Sequence, residues 1–144
     1  MEEGNEIFEG ELWIDGDVIS YVGPSVEKPE DASWDKEIDA EGNLVLPGFK
    51  NAHTHSPMTF LRSHADDMKL DEWLNERVFP AEAKLTDEDV YWLTKLAVME
   101  YLTSGMTAAF DMYMHRPAVA QAMKDCGFRT VFCDSMNDFV GSLE

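Results

Sequence analysis

The spacing of apolar residues changes period along this chain. Up to about residue 45 the apolar runs are short and punctuated by turn signals: Glu11-Leu12-Trp13-Ile14 leads into Asp15-Gly16-Asp17, and Val18-Ile19-Ser20-Tyr21-Val22 follows before Gly23-Pro24. Two such runs around a glycine-containing turn predict a β-hairpin. Pro24 through Lys36 is acidic and irregular, a surface loop from which Trp34 is expected to tuck against the sheet. The turn at Glu41-Gly42-Asn43 opens an apolar run through Leu44, Val45, Leu46, Pro47, Gly48 and Phe49, read here as one strand ending at His53-Thr54-His55.

Beyond His55 the period lengthens to that of helices alternating with strands. Leu70, Trp73, Leu74 and Val78 fall on one helical face, which predicts a short amphipathic helix stopped by Pro80. Thr86 with Asp89 three residues on forms a capping box, and Val90, Leu93, Ala97 and Tyr101 keep the helical period until a stop at Gly105. Thr107 to Phe110 reads as a buried strand, Ala118 to Lys124 as a helix with Pro117 near its start, and Phe128 to Cys133 as a further strand. This βαβαβ order predicts an α/β fold with parallel strands joined by crossover helices.

The candidate chemistry sits at the end of the apolar run. Strand side chains alternate faces, so residues two apart point the same way, and His53 and His55 can present two imidazoles to one divalent ion. Neutral imidazole binds zinc at about 2.0–2.1 Å. The spacing by itself also fits two histidines that fall together in a polar loop.

Several further segments carry a resemblance to a known family. Leu46-Pro47-Gly48-Phe49-Lys50-Asn51-Ala52-His53-Thr54-His55-Ser56-Pro57-Met58-Thr59 resembles the first barrel strand of the amidohydrolase superfamily. Leu61-Arg62, Asp66-Asp67, Leu70-Asp71-Glu72-Trp73-Leu74, Phe79-Pro80-Ala81-Glu82, Ser104-Gly105-Met106-Thr107 and Asp111-Met112-Tyr113 follow in the order seen in its deaminase branch. That branch holds methylthioadenosine/S-adenosylhomocysteine deaminases and related guanine deaminases and chlorohydrolases. The similarity spans roughly residues 6 to 133.

The resemblance implies a partial (β/α)8, TIM-like barrel over residues 48–144, preceded by part of a small β-sandwich over residues 1–47. A complete barrel takes about 250 residues, so the 144-residue chain is expected to be the N-terminal part of a longer protein, with Met1-Glu2-Glu3-Gly4-Asn5-Glu6 internal to it. The implied activity is metal-dependent hydrolytic deamination of an aminopurine nucleoside such as S-adenosylhomocysteine, methylthioadenosine or adenosine. His53 and His55 carry over as metal ligands, with zinc as the expected ion and iron the alternative. Glu82 carries over as the carboxylate that accepts the ribose hydroxyls. No catalytic acid/base residue is assigned within the chain, because that glutamate and the other ligands are expected beyond Glu144. Asp134 stands where some of these deaminases have arginine, which changes the pocket's charge. Guanine deaminase and chlorohydrolase activities remain as alternatives, as does a non-catalytic piece that only associates with itself or a complementary segment.

Composition narrows the partners. With 29 Asp+Glu against 11 Lys+Arg the net charge is −18, a field that repels phosphate backbones and anionic membranes, so a small-molecule partner is expected and nucleic acid and membrane are not. Hydrophobic residues make up 44%, enough for a packed core. No run approaches the roughly 18 apolar residues of a membrane helix, and Met1 to Asn5 lack the features of a signal peptide, so a cytoplasmic location is expected. A homo-oligomer is left open. Cys126 and Cys133 lack Cys-x-x-Cys spacing and read as reduced thiols in or near the core.

Other polar residues have two readings each. Asp111 and His115 lie at or just after a strand end, where barrel enzymes work, or serve as a loop anchor or helix cap. His64 is read as solvated, Trp73 as packing, and Met106, Met112 and Met114 as core filler. The zincin His-Glu-x-x-His, the phosphate-binding glycine loop, the Gly-x-Ser-x-Gly elbow and the cytidine-deaminase signature are all absent from the sequence.

Overall fold

The computed structural model describes residues 6–133. Met1 to Asn5 and Asp134, on which two of the expectations above fall, lie outside that range. The chain divides into two compact units, Met1–Leu44 and Val45–Glu144, three residues ahead of the boundary drawn at residue 47 from the sequence.

In the first unit, β1 (Glu11–Asp15) pairs antiparallel with β2 (Val18–Gly23). Gly16 opens the two-residue connection with φ of +61°, a left-handed conformation that glycine adopts without a side-chain clash. A bulge between Trp13 and Ile14 shifts the register. Trp34 packs as expected, its ring 5.2 Å from that of Trp13, which in turn lies 4.7 Å from Tyr21.

In the second unit β3 (Phe49–Thr54), β4 (Met106–Asp111) and β5 (Arg129–Phe132) form a parallel sheet in the order β3-β4-β5. The crossovers are α3 (Asp87–Thr103) between β3 and β4, after two shorter helices, and α4 (Arg116–Asp125) between β4 and β5. Val90, Val98, Ala109, Val119, Met123 and Phe128 make the apolar core between helices and sheet, and Cys126 packs at its border. Thr86 caps α3 through the expected box: its hydroxyl accepts the Asp89 N–H, and the Asp89 carboxylate accepts the Thr86 N–H. Gly105, with φ of +76°, turns the chain from α3 into β4.

Two expectations are corrected. The strand does not begin at Leu44: Leu44, Val45 and Leu46 are exposed, and β3 starts only at Phe49. Pro47 has no N–H for a ladder, and Gly48 is the point where the chain closes on β4, since a Cβ there would fall 2.2 Å from Thr107 Cγ2. Nor does Pro80 stop the helix. After α1 (Leu70–Trp73) a π turn spans Leu74–Val78, and α2 (Phe79–Glu82) continues with Pro80 in its first turn. The Phe79 N–H reaches back five residues to the Leu74 carbonyl, and this wider turn gives room to a ring that would strike the preceding turn of a regular helix. The result is one continuous helical arm that delivers Glu82 on its last turn. No helix among the described residues is long and apolar enough to cross a membrane.

Candidate metal centre

His53 lies in β3 and His55 is the first residue beyond it, at the start of a 3-10 helix (Ser56–Leu61). Their rings stand side by side, centroids 5.0 Å apart and planes at 80°. Both line a cleft of about 100 Å³ with Ala52, Thr54, Phe110, Met112 and Cys133. The cleft opens at the C-terminal ends of the parallel strands, the edge where α/β proteins place their chemistry.

The ring of His55 is held. Its Nδ1 lies 2.7 Å from the Met112 carbonyl, which can only accept, so Nδ1 carries a proton and, in the neutral ring, Nε2 keeps its lone pair. That is the tautomer a metal-binding imidazole needs. The pair therefore fits as two ligands of a divalent ion, and two imidazole nitrogens suit zinc or iron. Among the described residues no group of three or more His, Cys, Asp or Glu could hold an ion, so a full coordination shell requires ligands that these residues do not contain.

Beneath the histidines lies a buried polar cluster. Asp111, at the last position of β4, is 0% exposed and accepts the Ser56 N–H at 3.0 Å and the Ser56 hydroxyl on the same oxygen, Oδ2. Tyr101 brings its hydroxyl up from α3 to Thr54 and to Ser56, 2.9 Å from the latter's Oγ. The second carboxylate oxygen, Asp111 Oδ1, meets no partner among the described residues. Burial pushes the Asp111 carboxyl above the usual range, opposed first by the two Ser56 donors and then by His55.

Glu82 is only 5% exposed, a buried carboxyl and not a solvated one. Burial raises its carboxyl above the ordinary glutamate value, with Tyr113 and then His55 pulling it back. The Tyr113 hydroxyl lies close enough to act on Glu82 but meets no acceptor at hydrogen-bonding geometry, and it stays buried without a partner among the described residues. Burial, and then Glu82, raise the Tyr113 phenol above its ordinary value.

The remaining candidates separate. His115 adopts a left-handed φ of 56° ahead of α4 and lies 2.6 Å from Asp87 at the start of α3, which makes it a loop anchor. His64 is exposed on the rim of a wider groove with Arg77 and Lys84, away from the histidine pair. Trp73 is half-buried. Met114 is exposed, which corrects its reading as core filler, whereas Met106 and Met112 are partly buried. Cys133 was read as near-core; it is partly buried, lines the histidine cleft, and directs its thiol at the Asp111 carbonyl. Sequence reasoning missed Ser56, Tyr101 and Tyr113. Ser56 had the one available signal, adjacency to His55.

Comparison with known proteins bears on the family. The model of the Amidohydrolase family matches residues 44–142. A 5-methylthioadenosine/S-adenosylhomocysteine deaminase of Moorella thermoacetica is 44% identical over 133 residues, 92% of this chain and 31% of that protein. 5-Methylthioadenosine/S-adenosylhomocysteine deaminase 2 of Archaeoglobus fulgidus is 47% identical over 133 residues, 92% of this chain and 30% of its own length. The chain thus spans about 31% of the curated relatives it matches. Among solved structures, a zinc-bound adenosine deaminase from Xanthomonas campestris aligns with a TM-score of 0.57 at 42% identity, covering 59% of this chain and 20% of that one. A triazine hydrolase from Arthobacter aurescens aligns with a TM-score of 0.74 at 24% identity over 85% of this chain and 30% of that one, a likeness of fold alone. With the family match and these identities set beside an α/β sheet that ends in paired imidazoles, the chain belongs to the amidohydrolase family.

Proposed function

We propose that this chain supplies the first-strand side of the metal site in a hydrolytic deaminase acting on an aminopurine nucleoside, with S-adenosylhomocysteine, methylthioadenosine and adenosine as the substrate class. The observation that carries the reading is the side-by-side pair His53 and His55, with the His55 tautomer set by the Met112 carbonyl. Relatives named as deaminases of 5-methylthioadenosine and S-adenosylhomocysteine, and a neighbour with bound zinc, support it. The three parallel strands with their crossover helices are taken as the first units of a (β/α)8 barrel, and the hairpin unit as part of a β-sandwich.

The chemistry that a bound divalent ion, zinc by preference, would supply is a water made acidic enough, with a pKa of about 7, to attack at neutral pH. The chain's own residues do the rest of what is assigned to it. His53 and His55 would hold that ion as two of its ligands. Glu82, carried in by the helical arm, accepts hydrogen bonds from the two ribose hydroxyls, which favours a nucleoside over a free base. A cytoplasmic location and a small-molecule partner belong to the same proposal.

The test is ammonia release by the full-length, zinc-loaded protein from S-adenosylhomocysteine, methylthioadenosine, adenosine and guanine, with chloride release followed for a chlorotriazine. Turnover of the nucleosides above the other two is expected; turnover of guanine or the chlorotriazine alone would replace this reading with one of its relatives. A second reading, a non-catalytic and self-associating piece, draws on the edge strand β5, whose Val131 and Phe132 are exposed. It predicts concentration-dependent association and no turnover from the 144-residue chain alone.

A further inference from the structure

We propose that Asp111 is a positioning residue for His55: acting through Ser56, it fixes the backbone that presents the imidazole, so that the end of β4 sets the aim of a ligand carried by β3. The proposal rests on the reading of His53 and His55 as metal ligands.

His55 lies beyond the last residue of β3, where a ladder no longer holds the backbone. Two consecutive residues at the end of β4 take over. Met112 accepts the ring proton of His55 at 2.7 Å, and Asp111 accepts both the N–H and the hydroxyl of Ser56, the next residue along. The ring and the peptide that follows it are thereby tied to the same two-residue platform.

The platform itself is tied in on both sides. The Met112 N–H donates to the Thr54 carbonyl at 3.1 Å, and the Asp111 carbonyl accepts the Cys133 N–H at 3.0 Å, so β3 and β5 hold β4 from both sides.

Mere capping of the 3-10 helix does not account for the choice of residue. A fully buried carboxylate is unfavourable unless its bonds repay the desolvation, and well-packed apolar side chains usually fill such a place at least as stably. Here both donors lie on one residue and one carboxylate oxygen, leaving Oδ1 without a partner among the described residues. The group that benefits is the one adjoining the histidine. Tyr101, 2.9 Å from Ser56 Oγ, completes the brace from α3.

The experiment uses the full-length protein and compares wild type with Asp111→Ala, Asp111→Asn, Ser56→Ala and His55→Ala. Zinc affinity is measured by competition with a chelator, the cobalt(II)-substituted protein is followed by visible absorption, and the urea midpoint gives stability. Asp111→Ala is expected to weaken metal binding about 10- to 100-fold, the size seen when an outer partner of a ligand is lost, and to alter the cobalt spectrum. Asp111→Asn, which keeps an acceptor oxygen, and Ser56→Ala, which keeps the backbone donor, should fall between it and wild type, and they decide the question if Asp111→Ala does not fold. A lowered urea midpoint with unchanged metal affinity and cobalt spectrum in these variants overturns the proposal and leaves Asp111 a structural residue. If His55→Ala also binds metal like wild type, the underlying ligand assignment has failed instead.

Discussion

Two clusters in the parallel-sheet unit are buried to the same depth and have opposite chemistry. Between the helices and the sheet, Val90 and Val119 are 0% exposed and Val98 is 1% exposed, a contact of apolar surface with no direction to it. At the strand ends, Asp111 is likewise 0% exposed and Ser56 2%, yet every contact there has a donor, an acceptor and an angle. The first arrangement tolerates exchange of one apolar side chain for another of similar volume and carries stability. The second fixes orientation, and it lies directly under the two histidines. Depth of burial therefore does not separate scaffold from site here; the kind of contact does.

That contrast can be broken at several points. The largest effect is expected at the proposed ligands: His55→Ala in the zinc-loaded full-length protein should lose most of its bound metal, read by metal analysis after dialysis. His53→Ala should do the same while changing the folding stability of the metal-free protein by less than about 0.5 kcal/mol, as is usual for an exposed side chain. Met123→Ala should show the reverse. Removing a buried methionine from the apolar cluster costs about 2–5 kcal/mol, measured by urea unfolding, with metal affinity of the folded protein unaltered. Loss of metal in a folded Met123→Ala variant would mean the two clusters are one energetic unit.

Glu82→Gln sharpens the substrate side of the comparison. A hydrogen bond to a charged group is worth about 1.5–3 kcal/mol, so kcat/KM on a nucleoside should fall about 10- to 150-fold, while a free base lacking ribose should be unaffected. Equal losses on both would remove Glu82 from the ribose. The smallest effect belongs to the surface cap of α3. Thr86→Ala should lower stability by about 1 kcal/mol and leave the metal site untouched. The Thr86 side chain and backbone hold the Asp89 carboxyl below its ordinary value of 3.8. A depressed carboxylate contributes stability above its unfolded pKa and loses it as pH falls through the folded one. The wild-type advantage over Thr86→Ala should therefore be full at neutral pH and shrink below about pH 3.8.

Much of this architecture was readable one segment at a time. The turn at Gly16, the capping box at Thr86, the stop at Gly105 and the alternation that gives β3, β4 and β5 are local events, set by residues within a few positions of one another. Pro80 misled because its effect depends on the turn before it: the π turn at Leu74–Val78 absorbs the ring, and no residue type announces such a turn. Leu44 to Leu46 misled because an apolar run becomes a strand only where a neighbour offers a ladder. The polar cluster was out of reach for another reason. Asp111 lies 55 positions from Ser56, and Tyr101 lies 45 positions from it, so their meeting is a product of the crossover connections. The histidine pair escaped that limit because both members leave one strand end.

The central claim is that His53 and His55 together grip one ion, and X-ray absorption at the zinc edge of the loaded full-length protein tests it most directly. The account predicts imidazole nitrogens at about 2.0–2.1 Å in the wild type and, when both histidines are replaced by alanine, either no retained zinc or, under excess zinc, a shell with two fewer imidazoles. A zinc shell with the same imidazole count in that double variant would contradict it.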